Sequence, residues 1–294
     1  MKAAAFDYVR AHDVAQALSV LAEHGPDAKL VAGGQSLVPM MAMRLARPAV
    51  LVDINRLPEL KGLQIEAGHV QMGAATRQRD VIDNRSLHST LLLVQAALRW
   101  VGHVQTRNRG TVGGSLAHAD PSAELPLAAL MLSATLHLRS QAGGERTVAA
   151  EDFFLGPMYT AAGDTECLLA IDWPVWAGRG VHTAFDETAM REGDFAMASA
   201  ACQIQLDDDG ICRRAVLGLG GLDGTPRAFP QLAASIVGRR IDANLAREVA
   251  HAAVEQTHPG NDLHADADYR RELGAVLLAR VLQRAAAANE SSHR

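Results

Sequence analysis

The sequence predicts an α+β chain: two small α/β units, then a C-terminal unit of antiparallel strands and helices. Three observations carry this expectation. Two double-glycine turns, Ala32-Gly33-Gly34-Gln35-Ser36 and Thr111-Val112-Gly113-Gly114-Ser115, stand eighty residues apart. Helical and strand periodicities alternate as far as about residue 177. Beyond Gly178-Arg179-Gly180 the pattern changes to strands joined through Asp207-Asp208-Asp209-Gly210, followed by two amphipathic helices.

Taken in order, Val14, Ala17, Leu18 and Leu21 share one helical face, with Asp13 placed to cap the helix and Gly25-Pro26 to stop it. The apolar run Lys29-Leu30-Val31-Ala32 reads as a strand leading into the first glycine turn, and Ser36 to Leu45 reads as a helix ended by Pro48. A buried strand over Ala49 to Ile54 closes the first unit, residues 1–56. In the second unit, residues 57–177, Leu63 and Ile65 alternate with polar neighbours, as do Val70 and Met72, which predicts a hairpin. Thr76 is placed to cap a short helix, and a longer helix is expected from Ser86 to Trp100. A polar loop over residues 102–110 then delivers the second glycine turn. A helix over Leu125 to Leu132 and strands over Ala134 to Arg139 and Cys167 to Trp173 complete this unit. The third unit, residues 178–288, comprises a meander through Ala196 to Leu206 and Ile211 to Leu219, then helices over Asn244 to Gln256 and Tyr269 to Ala288. Residues 289–294 read as a frayed tail.

With 294 residues, 48% of them hydrophobic and 21% charged, the chain has the composition of a globular protein with two or three cores. A net charge of -5 and 4% aromatic residues argue against a nucleic-acid surface. The opening Met1-Lys2-Ala3-Ala4-Ala5-Phe6-Asp7 has too short an apolar stretch for a signal peptide, and no run reaches membrane-spanning length, so a cytoplasmic location is expected. Cys167, Cys202 and Cys212 are scattered without iron–sulfur spacing, and the histidines form no metal-ligand motif.

The chemistry therefore rests on the glycine turns. Each reads as strand, tight turn and helix start, a setting in which backbone N–H groups can face a phosphate. Neither carries the G-x-G-x-x-G spacing of a nicotinamide site or the Gly-Lys-Ser/Thr of a P-loop. Taken singly, each is equally a turn between packed elements.

Both turns and their flanks resemble the FAD-binding medium subunit of the molybdenum hydroxylases, the xanthine dehydrogenase and carbon monoxide dehydrogenase group. The resemblance spans nearly the whole chain. It rests on Ala32-Gly33-Gly34-Gln35-Ser36-Leu37 with Arg44-Leu45-Ala46-Arg47-Pro48, on Arg107-Asn108-Arg109-Gly110-Thr111-Val112-Gly113-Gly114-Ser115-Leu116-Ala117-His118-Ala119-Asp120-Pro121, on Arg191-Glu192-Gly193-Asp194-Phe195-Ala196, and on Tyr269-Arg270-Arg271. It implies two subdomains of the PCMH-type FAD-binding fold that clasp FAD. It implies that Ala32, Gly33, Gly34, Gln35 and Ser36, with Thr111, Gly113, Gly114 and Ser115, surround the diphosphate and ribityl chain, with Val101 near the flavin and Leu168 along the cofactor. It also implies partners: a small subunit with two iron–sulfur clusters and a large subunit with the molybdenum cofactor, in a dimer of heterotrimers. Electrons would reach FAD from the clusters and leave for a terminal acceptor. Two other readings stay open, a self-sufficient FAD-dependent reductase or oxidase and a non-catalytic FAD-binding assembly protein.

The chain departs from the family pattern in places. Ser115 stands where the family usually has Asn, and Glu124 where it often has a cofactor-contacting Asp. Asp186 falls where some relatives carry a lysine near the flavin, and Met190-Arg191 replaces a frequent arginine pair. Asp194 reads either as a contact to the flavin edge or ribityl hydroxyls or as a turn residue, and Asp120 either as a cofactor contact or as a cap. Arg107 and Arg109 read as phosphate or partner contacts or as solvated side chains. Met40, Met41, Met43 and Leu91 to Leu93 read as packing.

Overall fold

The computed structural model describes residues 2–292. The chain begins with strand β1 (Asp7–Arg10), helix α1 (Val14–His24), strand β2 (Ala28–Val31), helix α2 (Leu37–Ala42) and strand β3 (Val50–Asp53). These strands form a parallel sheet in the order β1-β3-β2. The Asp13 carboxylate accepts from the Gln16 N–H at 2.7 Å, and Gly25 at φ +52° stops α1, as the spacing predicts. Val14, Leu18 and Leu21 pack on Val50 and Val52 in a small core. Helix α2 is shorter than expected: it ends at Ala42, and Arg44 at φ +61° turns the chain before Pro48 is reached. Met41 is buried, but Met43 is exposed beyond the helix end.

The middle of the chain runs β4 (Leu63–Glu66), β5 (His69–Gly73), α3 (Gln78–Asp83), α4 (Leu92–Leu98), α5 (Val104–Arg109), α6 (Val112–His118), α7 (Glu124–Met131), β6 (Thr135–Ser140), β7 (Gly144–Ala149), α8 (Ala150–Phe153), β8 (Phe154–Gly156), β9 (Tyr159–Thr160) and β10 (Glu166–Pro174). Strands β4-β5-β10-β6-β7 make an antiparallel sheet that packs against α4, α6 and α7 over the largest core. Three expectations are corrected here. Thr76 does not cap α3: its hydroxyl donates to the Gly62 carbonyl at 2.9 Å, and Arg77 occupies the cap position. The helix expected over Ser86 to Trp100 is broken, with one short turn over Arg85–Leu87 and α4 beginning only at Leu92. The supposed loop before the second glycine turn is the helix α5.

The last third comprises β11 (Val181–Ala189), β12 (Ala196–Leu206), β13 (Cys212–Gly220), β14 (Arg227–Ala228), α9 (Pro230–Ser235), α10 (Ala243–Val254) and α11 (Ala267–Ser292). The antiparallel sheet β11-β12-β13-β14 buries its two faces against different partners. Phe185 and Ala201 enter the core of the preceding sheet, whereas Ala184, Ala198, Ala200 and Cys202 pack with α9, α10 and α11. The Ala-rich end of α11 continues as helix backbone to Ser292, so the tail expected from residue 289 starts inside the helix. Residues 293 and 294 of that tail lie outside the described residues.

Candidate FAD site

All the candidate residues of the sequence line one cleft of about 950 Å³, at the upper end of ligand-pocket sizes. Its first wall is the turn between β2 and α2. Among the described residues, nothing in the protein accepts a hydrogen bond from any backbone N–H between Ala32 and Leu37. The Gln35 side chain donates to the Gly33 carbonyl at 3.0 Å and occupies an acceptor there, not a donor. Gly34, at φ +70°, supplies the left-handed backbone that aligns this run. A row of free N–H groups facing a cleft is an anion cradle.

The second glycine turn is built differently, which corrects the expectation that both turns offer N–H groups. The Val112 N–H donates to Thr76 O at 3.0 Å, Gly113 N–H to Ala74 O at 2.8 Å, and Gly114 N–H to the Thr111 hydroxyl at 3.0 Å. The Ser115 N–H is taken by Thr111 O at 3.2 Å. Glycine is required here for closeness, since a Cβ on Gly113 would lie 2.7 Å from both the Cα and the carbonyl oxygen of Ala74. The turn gives the cleft a bare surface at Gly114 and a hydroxyl at Ser115.

The two turns meet through main chain. A Cβ on Gly33 would stand 2.5 Å from Arg109 O and 2.9 Å from the Gly110 Cα. Arg77 holds this joint: one guanidinium nitrogen donates to Arg109 O, and the other to Asn55 Oδ1 at 2.7 Å, which ties the first unit to the second.

The remaining side chains complete the walls. Val101 is buried beside Gly102, and Arg107 donates to the carbonyls of both residues, at 2.7 and 2.6 Å. Arg107 is therefore tied down as a brace for the Val101 corner. Leu168 reaches the cleft at a bulge in β10. The Asp120 carboxylate accepts from the Ser122 N–H at 2.9 Å, the turn geometry of a short Asx motif. Burial, aided by the Asp120 charge, pushes the Glu124 carboxyl up to about 7. Asp194 comes from the segment after β11, where Gly193 packs on the His103 ring so closely that a Cβ would not fit.

Gln78 is a cleft residue that pattern reading missed. It is 4% exposed, and its buried Oε1 has no hydrogen-bond partner among the described residues. Only the fold brings it there, because Gly110 packs against its amide from more than thirty residues away. The three cysteines are buried, and burial pushes the Cys167 and Cys202 thiols up to about 12, so they stay protonated. Among the described residues no group of three or more His, Cys, Asp or Glu could hold a metal ion, and no helix is long and apolar enough to cross a membrane.

This cleft fits FAD on its own chemistry. The free N–H row suits a diphosphate, Ser115 and the Gln78 amide suit hydroxyls, and Val101 and Leu168 offer an apolar wall for a ring system.

Comparison with known proteins agrees with this fit. Residues 4–176 match the family described as the FAD binding domain in molybdopterin dehydrogenase, and residues 183–285 the CO dehydrogenase flavoprotein C-terminal domain. The chain is 36% identical over 285 residues to the 6-hydroxypseudooxynicotine dehydrogenase complex subunit alpha of Paenarthrobacter nicotinovorans, covering 97% of this chain and 96% of that one. It is 33% identical to the carbon monoxide dehydrogenase medium chain of Hydrogenophaga pseudoflava, covering 95% and 96%. Among solved structures, carbon monoxide dehydrogenase from Hydrogenophaga pseudoflava superposes with a TM-score of 0.93 at 34% identity, and quinoline 2-oxidoreductase from Pseudomonas putida 86 with 0.92 at 35%, each match covering 98% of this chain and 99% of the other. From the agreement of both halves, the cleft and the whole-length relatives, the chain belongs to the FAD-binding flavoprotein subunits of the molybdopterin dehydrogenases.

Proposed function

We propose that this chain is the electron-transfer subunit of a heterotrimeric molybdenum hydroxylase. It takes electrons from iron–sulfur clusters on a small partner subunit and passes them through FAD to a terminal acceptor, while a large subunit with the molybdenum cofactor oxidises the primary substrate. The observation that carries the reading is the row of unpartnered N–H groups from Ala32 to Leu37 on a cleft walled by Val101 and Leu168. In this reading residues 32–36 hold the diphosphate. Thr111, Gly113, Gly114 and Ser115 shape the ribityl channel, and Val101 and Leu168 flank the flavin. Asp120, Glu124 and Asp194 line its polar side. Residues 1–56 and 57–177 are the two halves of the clasp, 178–288 form the third domain, and the complex is a cytoplasmic dimer of heterotrimers. When bound, FAD supplies the redox chemistry, and the chain binds, orients and shields it.

The test is purification of the chain alone and of the complex from its host. The isolated chain is expected to carry or take up FAD with a flavin spectrum and no iron–sulfur absorbance. The native complex is expected to contain a cysteine-rich small chain and a large molybdenum-containing chain. A protein that cannot be loaded with FAD overturns the reading. Reduction of the isolated flavoprotein by the primary substrate would favour a self-sufficient reductase instead.

A further inference from the structure

We propose that Glu124, Glu187 and Ser199 form a proton-holding site in the wall between the FAD cleft and the C-terminal sheet, with Glu187 carrying the proton and Glu124 exchanging it with the cleft. The site starts from register. Glu187 on β11 pairs directly with Ser199 on β12, so their side chains stand side by side on one sheet face. The neighbouring pair on that face, Phe185 and Ala201, is buried in the core of the FAD-binding half, which fixes the direction of the face. Ser199 is fully buried and its hydroxyl has no partner among the described residues; Glu187 Oε2 is buried and equally without one there. The start of α7 covers them, with Pro121 O and Leu127 lying against Gly220, the next residue across the sheet from Ser199. Glu124, in the first turn of α7, reaches the cleft on one side and lies close enough to Glu187 for their charges to interact.

Buried polar atoms left unpaired are costly, and a native site fills them with a proton or a bound water. Here the charges facing the pair leave the proton as the means of neutralising it. Asp186, the neighbour of Glu187, is directed to the opposite face, where Arg280 and Arg284 stand 3.4 and 3.1 Å away. Arg107, the cation facing Glu124, is held by two carbonyls. Asp120 adds a further negative charge near Glu124, His118 lines the same cleft, and α4, packed on β11, brings no titratable side chain. Burial, reinforced by the charges of Glu124 and Asp186, pushes Glu187 up to about 9, above Glu124 at about 7. A protonated Glu187 leaves no buried charge in this wall, and Glu124, titrating near neutrality, is the member of the pair that meets the cleft.

The sign of the linkage makes the proposal testable without cofactor. Both carboxyls bind a proton more tightly in the folded state, so their stabilising effect is complete below the ordinary carboxylate range. It is lost as pH rises through about 7 and then about 9. The unfolding midpoint of the apoprotein is expected to fall by roughly 10–15 °C between about pH 6 and pH 10. Glu187→Gln removes the upper step. Glu124→Gln removes the lower step and also moves the upper one to lower pH, because no neighbouring charge then opposes ionisation of Glu187. That shift keeps the test decisive if the Glu187 variant does not fold. Parallel pH profiles for wild type and Glu124→Gln overturn the site. A second arm rests on the proposed FAD reading: calorimetric titration of FAD near pH 7, in buffers of different protonation enthalpy, is expected to show net proton uptake in wild type and none in Glu124→Gln. Equal uptake overturns the exchange role of Glu124. Absence of any FAD binding would count against the functional reading and leave the apoprotein arm to decide the proton site.

Discussion

The two glycine turns look alike as sequence and do different work in the fold. In the first, the N–H groups from Ala32 to Leu37 have no acceptor among the described residues. In the second, Val112, Gly113, Gly114 and Ser115 donate to Thr76, Ala74 and Thr111, and the glycines permit contact between packed backbones. Both turns use a glycine for close packing, Gly33 on Arg109 and Gly110 and Gly113 on Ala74, but only the first also leaves its N–H groups without an acceptor among the described residues. What separates them is whether another strand end lies within hydrogen-bonding reach. The Ala74 to Thr76 segment after β5 fills that role for Val112 and Gly113, and no described segment fills it for the first turn.

This contrast is open to direct attack. The largest effect is expected from Gly113→Ala, whose Cβ would meet Ala74 backbone: a loss of about 3 kcal/mol, a fall of roughly 10 °C in the apoprotein unfolding midpoint, and poor FAD loading as a consequence. Wild-type melting with lost FAD would instead make the second turn a cofactor turn. Gly33→Ala is expected to strain the joint between the two turns and with it the cleft. By pushing on Arg109 O it would raise the FAD dissociation constant about 100-fold in a flavin fluorescence titration, while far-UV circular dichroism of the apoprotein stays native. The smallest effect belongs to Thr111→Ala, which removes the hydroxyl that accepts the Gly114 N–H. About 1 kcal/mol of stability, or ~2–4 °C in midpoint, is expected to go, with FAD affinity changed less than about threefold. A larger loss of affinity would place Thr111 in contact with the cofactor.

Local chemistry was legible in the sequence, and partners across the fold were not. The Asp13 cap, the Gly25 stop, the β4–β5 hairpin and the Asp207-to-Gly210 turn depend on neighbours within a few residues, and each appears as expected. The candidate residues came from the glycine turns and from the family resemblance, and the structure lines one cleft with them, whereas Gln78 in the same cleft carried no motif to mark it. Failures came where a distant group decides. Thr76 bonds to Gly62 instead of capping α3, Arg107 turns back to the Val101 corner, and the Val112 and Gly113 N–H groups of the second turn find acceptors some forty residues earlier. The apolar run Leu91 to Leu98 does form a helix, but Leu91 itself stands outside it at the cap, so hydrophobicity continued where the helix did not. Strand β7 is mostly exposed and polar, and offered no alternation to read.

The joint at Gly33 has a consequence for mutational tolerance. The atom pressed against it is a main-chain oxygen, and the guanidinium of Arg77 engages that same oxygen. The side chain at position 109 therefore takes no part in the contact, whereas position 33 admits none at all. A saturation library is expected to be broadly permissive at 109 and nearly empty at 33, an asymmetry between two touching residues that a side-chain contact would not produce.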